Sequence, residues 1–324
     1  MGGDFAPRAA IEGALVAARG LRVSLLLVGR EDVIRAALAE HSDADRLDVE
    51  VRHAPDVVEM GESPIAALRR KPQSSIRIAV DAVARGETGA VFSAGNTGAA
   101  VVATHGAFGM LPGVDRPALA ATIPTRSGAA VLLDSGATVD CRPHHLFQFA
   151  SMGSVFARVA LKVDAPRVGL LSIGEEETKG NDLTREAHRL IRDSSLNFVG
   201  NLDARAVYSG EADVIVCDGF TGNVALKVSE SLVDAVEGLL HDELSRTFTT
   251  RVGSLLSRRA FRRFRRRLDY SEYGGAPLLG VAGLCVIGHG RSSAKAVRNG
   301  IALAHRFATV GFLDRIRAEI APSS

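Results

Sequence analysis

The chain has 324 residues, 46% of them hydrophobic and 23% charged, a composition that excludes a disordered, collagen-like or small disulfide-rich protein. No apolar run approaches the roughly 20 residues that a membrane-spanning helix needs. The three cysteines, Cys141, Cys217 and Cys285, are widely spaced and form neither a zinc-binding nor a disulfide pattern. We therefore expect a globular protein of the reducing cytoplasm, without a metal ion.

The net charge of +2 conceals one strongly basic segment. Between Arg246 and Arg267 stand nine arginines and no acidic residue, which leaves 30 basic against 37 acidic residues in the rest of the chain. The second half of this segment places apolar side chains within about 100° of a helical wheel, at Ala260, Phe261, Phe264 and Leu268. This pattern favours a helix that lies on an anionic membrane or contacts an acidic protein, and it is also typical of a solvated helix that covers its own core. We expect no nucleic-acid binding, because no binding motif accompanies the arginines.

Predicted strands and helices alternate along the chain. The pattern predicts helices over 8–19, 32–40, 75–85, 99–108, 146–161, 183–193, 223–244 and 294–308. It predicts strands over 22–28, 47–51, 89–92, 118–123, 129–133, 168–173, 214–217 and 284–287. Such alternation indicates an α/β protein, a three-layer α/β/α open sheet whose site lies at the carboxyl ends of its strands. Since no linker interrupts the pattern, we expect one domain over 1–324, with a protruding amphipathic helical segment at 240–270.

Two similar turns join an apolar strand to a helix through the sequence Gly-x-Thr-Gly. We call residues 93–99 the first glycine turn and residues 217–223 the second glycine turn. A helix N-terminus presents unpaired N–H groups and a partial positive charge, so both turns suit an anion. Asn96, Asp218 and Asn223 add polar side chains beside them, and the pair predicts one shared cleft. Each turn taken alone is also typical of a tight connection with a threonine N-cap.

Short motifs stand at twelve places along the chain: Met1–Pro7, Glu62–Pro64, Ser93–Ala99, Asp134–Ala137, Gly174–Glu176, Lys179–Asn181, Cys217–Phe220, Gly222–Asn223, Leu226–Lys227, Tyr273–Pro277, His289–Gly290 and Ser292–Ser293. Together they resemble the phosphate acyltransferases that make acyl phosphate from acyl-acyl carrier protein and inorganic phosphate. The resemblance extends over almost the whole chain.

The resemblance implies a fold similar to that of isocitrate and isopropylmalate dehydrogenases and of phosphotransacetylase. It also implies a homodimer, no cofactor, and a place in bacterial phospholipid synthesis, while the Arg-rich segment predicts peripheral membrane association. In that synthesis the acyl phosphate passes to a membrane glycerol-3-phosphate acyltransferase. Three alternatives remain open: a phosphotransacetylase that acts on acyl-coenzyme A, a decarboxylating dehydrogenase of similar fold, and a non-catalytic membrane adaptor.

The predicted chemistry needs positioning and charge stabilisation. Phosphate is already an anionic nucleophile, and a thiol with a pKa near ~8.5 leaves with little protonation, so the enzyme mainly holds phosphate against the thioester carbonyl and stabilises the oxyanion. The predicted catalytic residues are Asn96, Lys179, Asn223 and His289. The predicted substrate-binding residues are Gly3, Asp4, Ser93, Gly95, Thr97, Asn181, Asp218, Gly219, Thr221 and Lys227. The predicted contacts with membrane or carrier protein are Arg259, Phe261, Arg262, Phe264 and Arg266.

Each charged candidate also has a simpler interpretation. Lys227 could extend to solvent, and Lys179 could pair with the acidic residues 175–177. Asp218 could only form its turn, while His289, the best placed histidine for protonating the leaving sulfur, could be structural.

Two features depart from the family pattern. Thr138 stands where the family tends to show asparagine, and no strand precedes the Met1–Asp4 turn. Because a glycine turn that enters a helix normally follows a strand, we expect the natural protein to begin upstream of Met1 with a short apolar strand.

Overall fold

The computed structural model describes residues 1–320, apart from the side chains of Leu268 and Tyr270. The helices are α1 Arg8–Leu21, α2 Glu31–Ala39, α3 Pro64–Arg70, α4 Ser75–Ala84, α5 Thr97–Phe108, α6 Pro143–Phe156, α7 Asp182–Arg192, α8 Gly219–Ser245, α9 Phe248–Leu256, α10 Arg258–Leu268, α11 Ala294–Thr309 and α12 Phe312–Ile320. The strands are β1 Leu25–Gly29, β2 Val49–His53, β3 Val91–Ser93, β4 Ala118–Leu119, β5 Ala121–Thr125, β6 Gly128–Leu133, β7 Val168–Leu171, β8 Phe198–Leu202, β9 Val214–Val216, β10 Ala276–Leu279 and β11 Cys285–Ile287.

The strands form three groups. A parallel pair joins β1 and β2, a four-stranded sheet has the order β3-β11-β10-β4, and a five-stranded sheet has the order β5-β6-β9-β7-β8. β10 is antiparallel to both neighbours and β5 is antiparallel to β6, whereas the other pairs are parallel. Helices pack on these sheets, so the predicted α/β class is confirmed, with mixed rather than purely parallel sheets.

The predicted strand 118–123 is in fact two strands in two sheets. β4 pairs with Leu278 and Leu279 of β10, while β5 pairs with β6. The chain passes from one sheet to the other at the buried Ala120. One hydrophobic cluster extends across this junction, from Leu279 of the smaller sheet to Leu133 of the larger one. The two sheets therefore share a core.

A cavity of about 800 Å³ lies between β1 and β3. Residues 25–28 and 90–93 line its two sides, and the rest of its wall includes residues of α1, α4, α11 and β2, the N-terminal residues 1–3, and the first glycine turn. Within the described part of the chain β1 pairs only with β2, and β3 pairs only with β11. Met1 lies at the carboxyl end of this β1–β3 cavity, since a Cβ added to Gly29 would be 2.5 Å from Cγ of Met1.

α8 is 27 residues long and buries only Gly219 and Gly222. It leads to α9 and α10, and we call residues 246–268 the Arg-rich tip. α10 returns beside α8, where Nε of Arg265 lies 3.5 Å from Oε2 of Glu237. The tip is exposed along most of its length, and the protruding segment at 240–270 stays a prediction. Across residues 1–320, no helix combines the length and apolar character of a membrane span.

Candidate active site

The first glycine turn is anchored by Asn96, the N-cap of α5. Oδ1 of Asn96 accepts the N–H of Ala99 at 3.0 Å, so asparagine and not Thr97 is the cap. Nδ2 lies 3.0–3.1 Å from the carbonyl oxygens of Glu59, Met60 and Glu62. The amide of Asn96 therefore ties the turn to the loop 59–62. Its predicted catalytic role stays a prediction, and these contacts favour a positioning role.

The N-terminal loop lies against the first glycine turn. A Cβ on Gly3 would be 2.8 Å from the carbonyl oxygen of Ala94, a distance that only glycine tolerates. The N–H of Asp4 donates to the carbonyl oxygen of Gly290 at 2.8 Å. Ser93 accepts the N–H of Gly95 on its hydroxyl at 3.4 Å. The structure thus brings together the first glycine turn, the N-terminal loop and the loop after β11.

The second glycine turn is capped by Asp218. Its Oδ1 accepts the N–H of Thr221 at 2.9 Å, and its Oδ2 accepts the hydroxyl of Thr221 at 2.7 Å. Both side chains thereby stabilise the start of α8, which agrees with the simpler interpretation of Asp218. Gly219 and Gly222 both pack on Asp134. A Cβ on Gly219 would lie 2.6 Å from Oδ2 of Asp134, and a Cβ on Gly222 would lie 1.9 Å from the carbonyl oxygen of Asp134.

Asp134 organises the loop that supports this turn. Its buried carboxylate accepts four backbone N–H groups at 2.6–3.0 Å, from Leu119, Gly136, Ala137 and Thr138. Burial raises the pKa of this carboxyl, and the backbone hydrogen bonds oppose that shift. The motif around Asp134 was recognised in the sequence. Its contact with the N–H of Leu119 was not, because Leu119 belongs to another strand. The hydroxyl of Thr138 donates to the carbonyl of Pro117 at 2.7 Å, so the family departure is accommodated within the fold.

Lys227 and His289 meet beside the second glycine turn. Nζ of Lys227 lies 3.1 Å from Nε2 of His289 and 3.1 Å from Oε2 of Glu230. Lys227 therefore does not merely extend into solvent. Burial and, next, the charge of Lys227 lower the pKa of His289, so its ring is neutral at neutral pH. Glu230 was not singled out in the sequence, where it is one of several acidic residues on a long helix.

Asn223 and Lys179 lie near the same edge with fewer contacts. Asn223 is exposed and faces Gly136, where an added Cβ would be 3.5 Å from Oδ1 of Asn223. Lys179 is exposed on the loop after β7, the strand next to β9. Asn181 caps α7 by accepting the N–H of Thr184 at 2.9 Å. Lys179 and Asn181 contact residues close to them in the chain. Only the adjacency of β7 and β9 in the sheet relates them to the second glycine turn.

The acidic loop before α7 does not pair with Lys179 as the simpler interpretation supposed. Glu177 instead makes an ion pair with Arg192, and lies 3.9 Å from Nε2 of His188. Within the described residues this leaves the Lys179 ammonium without an ion-pair partner, facing solvent at the strand ends. A cation in that position can still contact an anionic substrate.

The candidate site combines two helix N-termini, a lysine and a neutral histidine, which follow β3 and β11 of the smaller sheet and β9 of the larger sheet. Such a set binds an oxyanion and stabilises negative charge without a side-chain nucleophile. The fold and the candidate site define an α/β protein whose strand ends suit an anionic ligand.

Comparison with known proteins gives the family. A family model described as fatty acid synthesis protein matches residues 1–315. The phosphate acyltransferase of Acidobacterium capsulatum is 52% identical over 320 residues, which cover 99% of this chain and 95% of that protein. The phosphate acyltransferase of Syntrophotalea carbinolica is 47% identical, with 99% and 92% covered. The chain belongs to the phosphate acyltransferase family and is an acyltransferase.

Solved structures confirm the predicted fold. A phosphotransacetylase from Streptococcus pyogenes has a TM-score of 0.62 at 16% identity, with 92% of this chain and 91% of that chain covered. A 4-hydroxythreonine-4-phosphate dehydrogenase from Klebsiella pneumoniae has a TM-score of 0.50 at 14% identity, with 93% and 97% covered. Both likenesses concern the fold alone.

Proposed function

We propose that the protein transfers the acyl group of acyl-acyl carrier protein to inorganic phosphate and releases the carrier thiol. A phosphate oxygen attacks the thioester carbonyl, the carbon–sulfur bond breaks, and the thiolate takes up a proton. Backbone N–H groups of the two glycine turns stabilise the oxyanion. The observation that carries this proposal is the contact of Lys227 with His289, since a cation and a hydrogen-bond donor then lie together beside the second glycine turn.

The decisive experiment offers phosphate with either acyl-acyl carrier protein or acyl-coenzyme A and measures acyl phosphate. We expect at least a tenfold preference in kcat/KM for the carrier-protein thioester, about 1.4 kcal/mol in the transition state. Preference for acyl-coenzyme A would establish the phosphotransacetylase alternative. Absence of acyl phosphate with both donors would favour the membrane adaptor.

The Arg-rich tip is the surface we assign to anionic partners. Its arginines are exposed, and Arg259, Arg262 and Arg266 lie beside the half-buried Phe261 and the 45% exposed Phe264. Acyl carrier protein is acidic, and an anionic bilayer attracts the same charges. We propose cytoplasmic, peripherally membrane-bound operation, with the acyl phosphate passed to a membrane glycerol-3-phosphate acyltransferase.

The homodimer belongs to the same proposal. α8 exposes apolar side chains at intervals of four residues along one stripe, at Phe220, Val224, Val228, Leu232 and Val236. An uncovered apolar stripe of this length is unusual for a monomer and suits a second copy of the chain. Light scattering should give twice the chain mass of 34.1 kDa, and a monomer would contradict the assignment.

A further inference from the structure

The hydrogen-bond geometry fixes the tautomer of His289. The backbone N–H of Arg291 lies 3.1 Å from Nδ1 of His289 and donates to it. A neutral imidazole has one hydrogen, so that hydrogen is on Nε2. Nε2–H is therefore a donor and points toward α8.

Lys227 and His289 thus meet as two donors. An ammonium group has no acceptor, and Nε2–H has none either, so their 3.1 Å approach cannot be a hydrogen bond between them. Two donors that meet in this way can share one acceptor. Oε2 of Glu230 supplies one, at 3.1 Å from Nζ of Lys227 and 3.8 Å from Nε2 of His289. Glu230 is one helical turn from Lys227, so the backbone of α8 holds this geometry.

We propose that Glu230 is a positioning residue whose Oε2 keeps Lys227 and the Nε2–H of His289 directed at one position. When substrate binds, a phosphate oxygen occupies this position in place of Oε2. This inference rests on the proposed function. A phosphate oxygen is an anionic acceptor like a carboxylate oxygen, so both donors keep their orientation when one replaces the other. Glu230 therefore preorganises the pair and also competes with phosphate.

The charges around His289 determine how a neutral residue at position 230 changes the pKa of His289. Asp4 and Glu230 raise the pKa of His289, whereas Lys227 and Arg291 lower it. Removal of the Glu230 charge therefore lowers the pKa of His289 further, and removal of the Lys227 charge raises it. Protonation of Nδ1 would break the hydrogen bond that it accepts from the N–H of Arg291, so we expect activity from the neutral ring. The acid limb of the activity should therefore shift to lower pH in Glu230→Gln and to higher pH in Lys227→Gln.

The kinetic test compares Glu230→Gln with Asp234→Asn. Asp234 is one helical turn farther along α8, largely exposed, and 4.0 Å from Arg291, so it is a matched control. For Glu230→Gln we expect kcat about tenfold lower, a KM for phosphate that is unchanged or lower, and the shifted acid limb. A role in folding alone would lower the melting temperature without moving the acid limb. A kcat and pH profile equal to those of Asp234→Asn would overturn the inference.

A titration of His289 by NMR makes the inference independent of the acyl donor. With inorganic phosphate as the probe, the Nε2 resonance of the wild-type protein should shift on binding, and in Glu230→Gln it should titrate at lower pH. If Glu230→Gln does not fold, Glu230→Asp keeps the charge but withdraws it by one methylene, and its kcat should still fall. A wild type that is inactive with acyl-acyl carrier protein but shows these shifts would refute only the proposed function. If the wild type is active but the Nε2 resonance of His289 does not shift with phosphate and its titration is unchanged in Glu230→Gln, only this inference is refuted.

Discussion

Asn96 and Asn223 stand beside matching glycine turns but make different contacts. Asn96 caps α5 and holds the loop 59–62, whereas Asn223 is exposed. We expect both alanine variants to lose at least about tenfold in turnover, since each amide orients the site or its oxyanion donors. Asn96→Ala should also lose about 1 kcal/mol or more of stability with its cap, and Asn223→Ala should not. Turnover and thermal melts of the two variants measure this difference.

Asn96→Asp provides the control for the capping role. An aspartate keeps the acceptor for Ala99 but has no N–H for the three loop carbonyls. It should retain the helix start and lose the loop contact, so turnover falls more than stability. Wild-type turnover in Asn223→Ala would remove that residue from the site.

At the scale of single residues, the sequence predicted which turns form the candidate site but not which contacts each side chain makes. Glycines at strand ends predicted the two turns, because such turns need backbone without a side chain. The roles of Asp134 and Glu230 depend on Leu119 and His289, which are distant in the chain. Nothing local distinguishes these two acids from others.

At the scale of elements, the composition of α10 gives the clearest indication of what a helix of this protein binds. Phe261 and Phe264 lie among exposed arginines, and the Leu268 side chain of the predicted apolar arc lies outside the described residues. We expect the protein to float with anionic vesicles, because each arginine near such a surface contributes on the order of 1 kcal/mol and the phenylalanines insert. Phe261→Glu/Phe264→Glu should float much less.

Two further variants separate charge from insertion. Phe261→Gln/Phe264→Gln removes the apolar groups without adding negative charge, and should bind between wild type and the glutamate variant. Val199→Glu changes a residue that is 43% exposed on β8, outside the tip, and should float as wild type does. If the glutamine variant floats as well as wild type, the phenylalanines do not insert and charge attraction alone accounts for binding to the vesicles.

Sequence patterns missed α3, β8, β10 and α12, of which α3 and β10 are short and contain proline. α3 has seven residues and begins at Pro64, and β10 has four residues and contains Pro277. A short segment has too few positions to show a period, and proline argues against a strand. Long amphipathic helices such as α4 and α11 were predicted almost to their ends, since burial of one face repeats along them.

At the scale of the whole molecule, the β1–β3 cavity makes a prediction about backbone exchange. The ladder turns the peptide groups of Leu26 and Val28 away from β2, toward a cavity far larger than a packed core leaves. We expect their amides to exchange at least about 100-fold faster than those of β9, which lies between β6 and β7. Hydrogen exchange followed by NMR measures this ratio. Equal protection in both sheets would contradict it.

A fused segment tests whether the cavity accepts a strand. Five valine and isoleucine residues placed before Met1 should protect the same amides and raise the melting temperature. They also convert the Met1 amino group, whose pKa is lowered by burial, into an uncharged amide. The same segment with alternating prolines lacks the N–H groups to pair and should do neither. An acyl chain that filled the cavity instead would leave these peptide groups without hydrogen bonds.

The length of α8 separates phosphate chemistry from the field of a membrane. Glu237, where α10 returns to α8, is ten residues beyond Lys227, about 15 Å along the helix. At physiological ionic strength electrostatic potentials decay over roughly 8 Å. A tip seated on an anionic bilayer would therefore leave Lys227 about two decay lengths away, where the lipid charges barely repel phosphate. If the tip binds the bilayer as proposed, the length of α8 would keep the anionic substrate from being depleted at the cleft.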